Sequence, residues 1–157
     1  MLLYFLYLTI AIPYMETVTL LNLLSYKERL QNSAGKNILK VPYDTNSHEV
    51  LERLIWFYLT ERLFYHRSIL TYKCLNGLTP EYLSAKFILN TNTYNTRSVN
   101  RRDLQIPKCK TTTGQRSFSY LGAKLWNSID VRTRDCATLD CFKNRLKVDI
   151  LAQRAQF

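Results

Sequence analysis

Glycine and proline are scarce, four of each in 157 residues, which excludes collagen-like and low-complexity chains. Four cysteines are too few for a disulfide-stapled miniprotein, so the thiols read as reduced and mostly buried, in an intracellular protein of the cytoplasm or nucleus. No two acidic residues are adjacent, and no pair of carboxylates falls on a metal-binding strand or turn. The glycines at 35, 77, 114 and 122 build no phosphate-cradling loop. The two histidines, His48 and His66, are the only partners for a hydrolytic serine. His48 falls in a helix's first turn and His66 on an apolar helical face, the usual place of a core histidine. Cys136 and Cys141, with Cys109 upstream, are spaced too loosely for structural zinc. No catalytic residue, metal or cofactor is therefore expected, and no small-molecule substrate. The one long apolar run, Met1 to Ile12, ends at Pro13, short of the roughly 20 residues a spanning helix needs. With no basic residue before Lys27 it lacks the positive start of a secretory signal, so a membrane partner is not expected.

What is abundant is apolar surface and positive charge. Hydrophobic residues make up 46% and charged ones 22%, which is a globular composition of one-domain length. The net charge is +10 and it is uneven. Residues 1–96 carry nine basic against seven acidic side chains, and residues 97–157 thirteen against five. The densest stretch holds Arg97, Arg101, Arg102, Lys108, Lys110 and Arg116 against the single Asp103. Guanidinium groups and the Thr111 to Thr113 hydroxyls suit phosphate oxygens. The plainer alternative is a solvated loop whose charge serves only solubility.

Periodicity gives a mostly α fold of five or six short helices around one core. A basic irregular segment, about residues 90–113, interrupts them, with room for one short strand or hairpin at Asp103 to Ile106. Leu20, Leu23, Leu24, Leu30, Ile38 and Leu39 set a helical rhythm, weakened by Asn32 and Gly35. Ser47 is the expected N-cap of a second helix with Leu51, Leu54 and Ile55 on its apolar face. Trp56 to Leu59 reads as a buried junction, and Thr60 as the cap of a third helix that carries Leu63, His66, Leu70 and Cys74 and stops at Asn76-Gly77. Pro80 opens a short helix with Leu83 and Phe87. Phe118 to Ile129 makes about three turns. Thr138 caps the last helix, where Leu139, Phe142, Leu146 and Ile150 face inward and Lys143, Arg145 and Lys147 stand off them as a second basic stripe.

Several blocks, in order, resemble the C-terminal end of the reverse transcriptase polyprotein of non-LTR (LINE-type) retrotransposons. They are LQNSAGKNIL (Leu30 to Leu39), PYDTNSHEVLERLIWF (Pro42 to Phe57), TYKCLNGLTPEYL (Thr71 to Leu83), YNTRS (Tyr94 to Ser98), the extended piece Leu104 to Thr111, GQRSFSYLGAKLWNSI (Gly114 to Ile129) and TLDCFKNRLK (Thr138 to Lys147). The likeness covers about residues 30–150, and its weight lies in the order of the motifs. It implies a single helical domain at 30–152 that follows the polymerase core, an apolar segment at 1–29 left from the upstream region, and a tail at 153–157. The family's polymerisation depends on a paired-aspartate palm that binds two magnesium ions, and that motif is missing from this sequence. Departures within the blocks include Ile55 where relatives commonly have Gly, Tyr58 and Asp130 where Pro is common, and Gly35 in place of Ala or Arg. The Ile55 and Tyr58 changes lead to the expectation of a smoother helix junction.

The resemblance thus implies a truncated, non-catalytic reverse-transcriptase-like protein that keeps RNA or DNA backbone binding. The expected phosphate contacts are Arg97, Arg101, Arg102, Lys108, Lys110, Arg116, Lys143, Arg145 and Lys147. Tyr94 and Tyr120 are candidate base-stacking rings, while Phe118, Leu125 and Trp126 are expected to pack the two halves together. The alternatives are a relic or interaction domain with no specific ligand and, ranked after it, a peripheral membrane protein anchored by residues 1–24.

Overall fold

A computed structural model of the chain describes residues 17–90 and 102–154, with side chains from Leu24 onward. These residues form eight helices: α1 Thr17–Leu39, α2 Ser47–Arg53, α3 Leu59–Leu75, α4 Glu81–Ser84, α5 Thr112–Gln115, α6 Phe118–Ser128, α7 Val131–Arg134 and α8 Leu139–Arg154. The mostly α expectation holds. Six of the helices are those read from periodicity, while α5 and α7 are single turns, too short to carry a pattern. The expected strand is a lone antiparallel bridge between Leu89 and Leu104.

Helix α3 is the hub, packed on α6 and α8 and touching α1 and α4. Its Tyr72 stacks on Phe142 of α8 with ring centroids 4.4 Å apart, and Trp126 of α6 lies beside both, 6.0 Å from the Phe142 ring and 6.5 Å from that of Tyr72. Phe142 is fully buried, and Leu146 and Ile150 continue the seam one and two turns on. Tyr72 keeps its hydroxyl satisfied by donating to the Cys136 carbonyl at 2.7 Å, as a buried phenol must. Phe118 packs edge-on against Phe87 at 5.2 Å, whereas Leu125 is only half-buried. Helices α3 and α6 approach closely at Gly122, where a Cβ would sit 2.8 Å from the Phe87 ring and 3.0 Å from Thr71 Oγ1.

Several local expectations shift. The boundary expected between residues 29 and 30 falls inside α1, which runs unbroken. Gly35 does not weaken that helix for nothing: a Cβ there would come within 2.7 Å of Val50 Cγ1, so glycine lets α2 lie against α1. Asn46, not Ser47, caps α2, accepting the His48 N–H at 3.0 Å. Helix α3 starts at Leu59, ahead of Thr60, and the Tyr58 N–H is taken by Glu61 at 2.9 Å. Pro80 stands at the N-cap of α4 rather than in its first turn. Asn76 caps α3 with Gly77 at φ +68°, and the Cys141 N–H donates to Thr138 Oγ1, both as expected.

The junction between α2 and α3 is not smoothed. Ile55 sits at φ +53°, a left-handed conformation that a β-branched residue seldom adopts, and its side chain is 61% exposed. Trp56, Phe57 and Tyr58 are half-buried, and of the four only Leu59 is buried. Nor are residues 153 and 154 a tail. Helix α8 runs through them, and Arg154 donates to Glu61 through Nε at 3.0 Å and to the Trp56 carbonyl at 3.2 Å, its guanidinium lying 4.2 Å from the centre of the Tyr58 ring. That clasp fastens the end of α8 to the α2–α3 junction, and the Glu61 carboxylate holds the Arg154 charge above its ordinary pKa.

Candidate nucleic-acid interface

The basic segment is pinned to the core at Arg102 to Leu104. The Leu89–Leu104 bridge is flanked by two backbone hydrogen bonds, Asn90 N–H to the Asp103 carbonyl and Gln105 N–H to the Ile88 carbonyl, each 2.8 Å. In this antiparallel arrangement the N–H and C=O of Leu104 itself point away from Leu89. Asn127 of α6 receives them: its Oδ1 accepts the Leu104 N–H at 2.8 Å and its Nδ2 donates to the Leu104 carbonyl at 2.9 Å. One amide side chain thereby takes the place of the next strand, which is why a bridge of one residue can bury Leu104.

Two further ties hold the same place. Trp126 donates its indole N–H to the Arg102 carbonyl at 3.4 Å. Arg134 of α7 donates to Asp103 at 2.8 Å, and the two side chains are 4% and 18% exposed. Asp103 is the single acid among residues 97–116, and this pair turns it inward, so its charge is spent on Arg134 and not on the neighbouring cations. Arg102 stands at φ +52°, exposed, with its guanidinium 4.0 Å from Asp135.

Past this anchor the chain leads into a loop closed on itself. Thr111 caps α5 by accepting the Gly114 N–H at 3.1 Å, and a Cβ on Gly114 would touch Cys109 at 3.2 Å. Cys109 is half-buried beneath Gly114, and Lys108 and Lys110 on either side of it are exposed. Arg116 follows as the exposed C-cap of α5, and Ser117 then caps α6, accepting the Tyr120 N–H at 3.4 Å. Among the described residues Lys108, Lys110 and Arg116 pair with no carboxylate.

The nine expected phosphate contacts therefore separate into groups. Arg97 and Arg101 lie outside the described residues, as does Tyr94. Lys108, Lys110, Arg116 and Lys147 are exposed and make no ion pair among the described residues, and Arg102 is loosely opposed by Asp135. On α8 the stripe divides. Lys143 is half-buried and bonded to Asp140 at 2.9 Å. Arg145 lies about 200° round the helix from Lys143. There it donates to the Arg132 carbonyl at 2.8 Å and lines a groove with Asp130 and Asp149. Of the three, only Lys147, one turn beyond Lys143, is exposed with neither a hydrogen bond nor an ion pair among the described residues. Tyr120 is half-buried. The residues that sequence reasoning passed over are those that position the segment, Asn127 and Arg134. Asn127 was visible only as part of an apolar block, and nothing in the spacing of Asp103 and Arg134 marks them as a pair.

Among the described residues no three His, Cys, Asp or Glu side chains gather where they could hold a metal, and no helix is long and apolar enough to cross a membrane. Cys74, Cys109, Cys136 and Cys141 are free thiols, the first and third buried. Comparison with protein-family models, curated proteins and solved structures finds no match to this chain.

Proposed function

We propose that this chain is a non-catalytic, reverse-transcriptase-like module of the kind that follows the polymerase core in non-LTR retrotransposon polyproteins, and that it binds the phosphate backbone of RNA or DNA. The observation that carries the proposal is the 102–116 stretch. Its one carboxylate, half-buried, is paired with buried Arg134, its backbone is held by Asn127 and Trp126, and Lys108, Lys110 and Arg116 are left exposed with no partner among the described residues. Cations on an irregular but anchored backbone can meet phosphates with less ordering cost than cations on a free tail. The kinship has support of its own in Ile55: the position commonly glycine in the resembled family carries here the left-handed backbone that glycine favours. The proposed residence is intracellular.

A second reading has one observation in its favour. Tyr26, Leu30 and Ile38 lie along one ridge of α1 at multiples of four residues and are 59%, 52% and 58% exposed. Such a ridge suits a domain that docks on other protein surface and touches no nucleic acid. Titrating the purified chain with a fluorescent RNA hairpin at low salt separates the two. Micromolar or tighter binding by a folded monomer supports the first reading, and a folded monomer that leaves the hairpin free overturns it.

A further inference from the structure

The geometry points to Cys136 and Cys141 as a reversible dithiol–disulfide pair, a redox modification site independent of any nucleic-acid role. Their sulfur atoms are 3.1 Å apart. Closing a bond of roughly 2.05 Å needs a movement of about 1 Å, within the reach of small side-chain rotations. The approach is imposed by the fold at both ends. The Cys136 carbonyl accepts the buried Tyr72 hydroxyl at 2.7 Å, and its N–H reaches the Thr133 carbonyl at 3.4 Å. Cys141 sits in the first turn of α8, its N–H held by Thr138 Oγ1 at 3.3 Å. The connection from α7 to α8 is thus fixed by the core, with the two thiols turned toward each other across it.

The two sulfurs differ in a way that assigns their order. Cys141 is half-buried and Cys136 buried, so Cys141 meets a reagent first. With glutathione disulfide as oxidant, the Cys141 thiolate attacks one glutathione sulfur. The glutathione S–S bond breaks, and one glutathione leaves as thiolate and takes up a proton. Cys136 then gives its proton to solvent and attacks Cys141 Sγ, the second glutathione departs as thiol, and the protein disulfide is complete. Two electrons pass from the cysteine sulfurs to the oxidant, and two equivalents of glutathione are released. Burial pushes the Cys136 thiol up, as does its bond with Cys141, against a smaller opposing pull from Arg145. Closure draws on the Cys136 thiolate, so it quickens as pH rises.

The experiment equilibrates the reduced full-length chain in glutathione redox buffers, in native buffer and in urea, followed by acid quenching, alkylation and tryptic mapping. Cleavage after Arg134 and Lys143 places both cysteines in one peptide, Asp135 to Lys143. Ring closure appears there as the loss of two hydrogens and of both alkylation sites, whereas Cys74 and Cys109 join no such ring. The native chain is expected to favour the disulfide at least tenfold over the urea-unfolded chain, about 30 mV in potential. Cys136→Ser should stop at a glutathione adduct on Cys141, and Cys141→Ser should leave Cys136 unmodified. A native preference no greater than that of the unfolded chain would overturn the assignment, and so would accumulation of Cys141 adducts in the wild type without closure. The wild-type map decides the matter even if the Cys136 variant does not fold.

Discussion

Replacing Ile55 tests the helix junction, because the left-handed backbone there reverses the ordinary ranking of alanine and glycine. Ile55 lies at φ +53° with its side chain mostly exposed. A residue with a Cβ in that region is disfavoured by about 1–2 kcal/mol relative to right-handed backbone, and glycine escapes this. Against that stands the greater freedom glycine has in the unfolded chain, about 0.5–1 kcal/mol. Comparing Ile55→Gly with Ile55→Ala removes nearly all of the side-chain burial from the difference, since both variants lose the isoleucine. The glycine variant is therefore expected to be the more stable by about 0.5–1 kcal/mol. For a chain of this length that is a rise in Tm of roughly 2–3 °C. Ala34 provides the control. It is exposed within α1, where Ala34→Gly should cost up to about 1 kcal/mol. Urea unfolding at constant slope gives both differences. If Ile55→Ala equals or exceeds Ile55→Gly in stability, the left-handed junction is wrong and with it the physical support for kinship at this position.

Three further outcomes follow from the packing. Gly35→Ala should destabilise by about 1–3 kcal/mol in urea titrations despite the better helix propensity of alanine, because the new Cβ meets buried, β-branched Val50. Asn127→Ala leaves the Leu104 N–H and C=O without their partner. About 1–3 kcal/mol of stability should be lost for each group left unsatisfied, and amide exchange at Leu104 should speed up well beyond that of Phe142. His66 is held below its ordinary pKa by burial and secondarily by Arg62. The unfolded chain then binds the proton more readily than the folded one, so the stability His66 contributes is full above the unfolded pKa and drains away as pH falls through the window down to the folded pKa. His66→Gln should flatten that part of the stability–pH curve, and an unchanged curve would show that His66 does not titrate differently on folding.

The helices were legible where apolar residues recur over three turns or more. Phe142, Leu146 and Ile150 announced the inner face of α8, and the Asn76-Gly77 stop of α3 was readable because its chemistry is local. Single turns such as α7 are too brief to show a period, and caps slipped by one residue where Asn46 and Ser47 offer equivalent chemistry. Gly35 read as a defect because its neighbour, Val50, is 15 residues away and only tertiary structure brings them together. The candidate site divides in the same way. Charge density marked Lys108, Lys110 and Arg116, but composition alone could not tell that Lys143 is engaged by Asp140 or Arg145 by the Arg132 carbonyl. The anchors Asn127 and Arg134 act across 23 and 31 residues, a range at which no spacing rule operates.

The most direct test of backbone binding is the slope of log affinity against log salt for an RNA hairpin, compared between the wild type and a variant with Lys108, Lys110, Arg116 and Lys147 all replaced by alanine. Each phosphate contact contributes a slope of about −0.7 to −0.9, so the variant should bind more weakly and its slope should be shallower by about 3. Equal affinity and equal slope in two folded proteins would contradict the account.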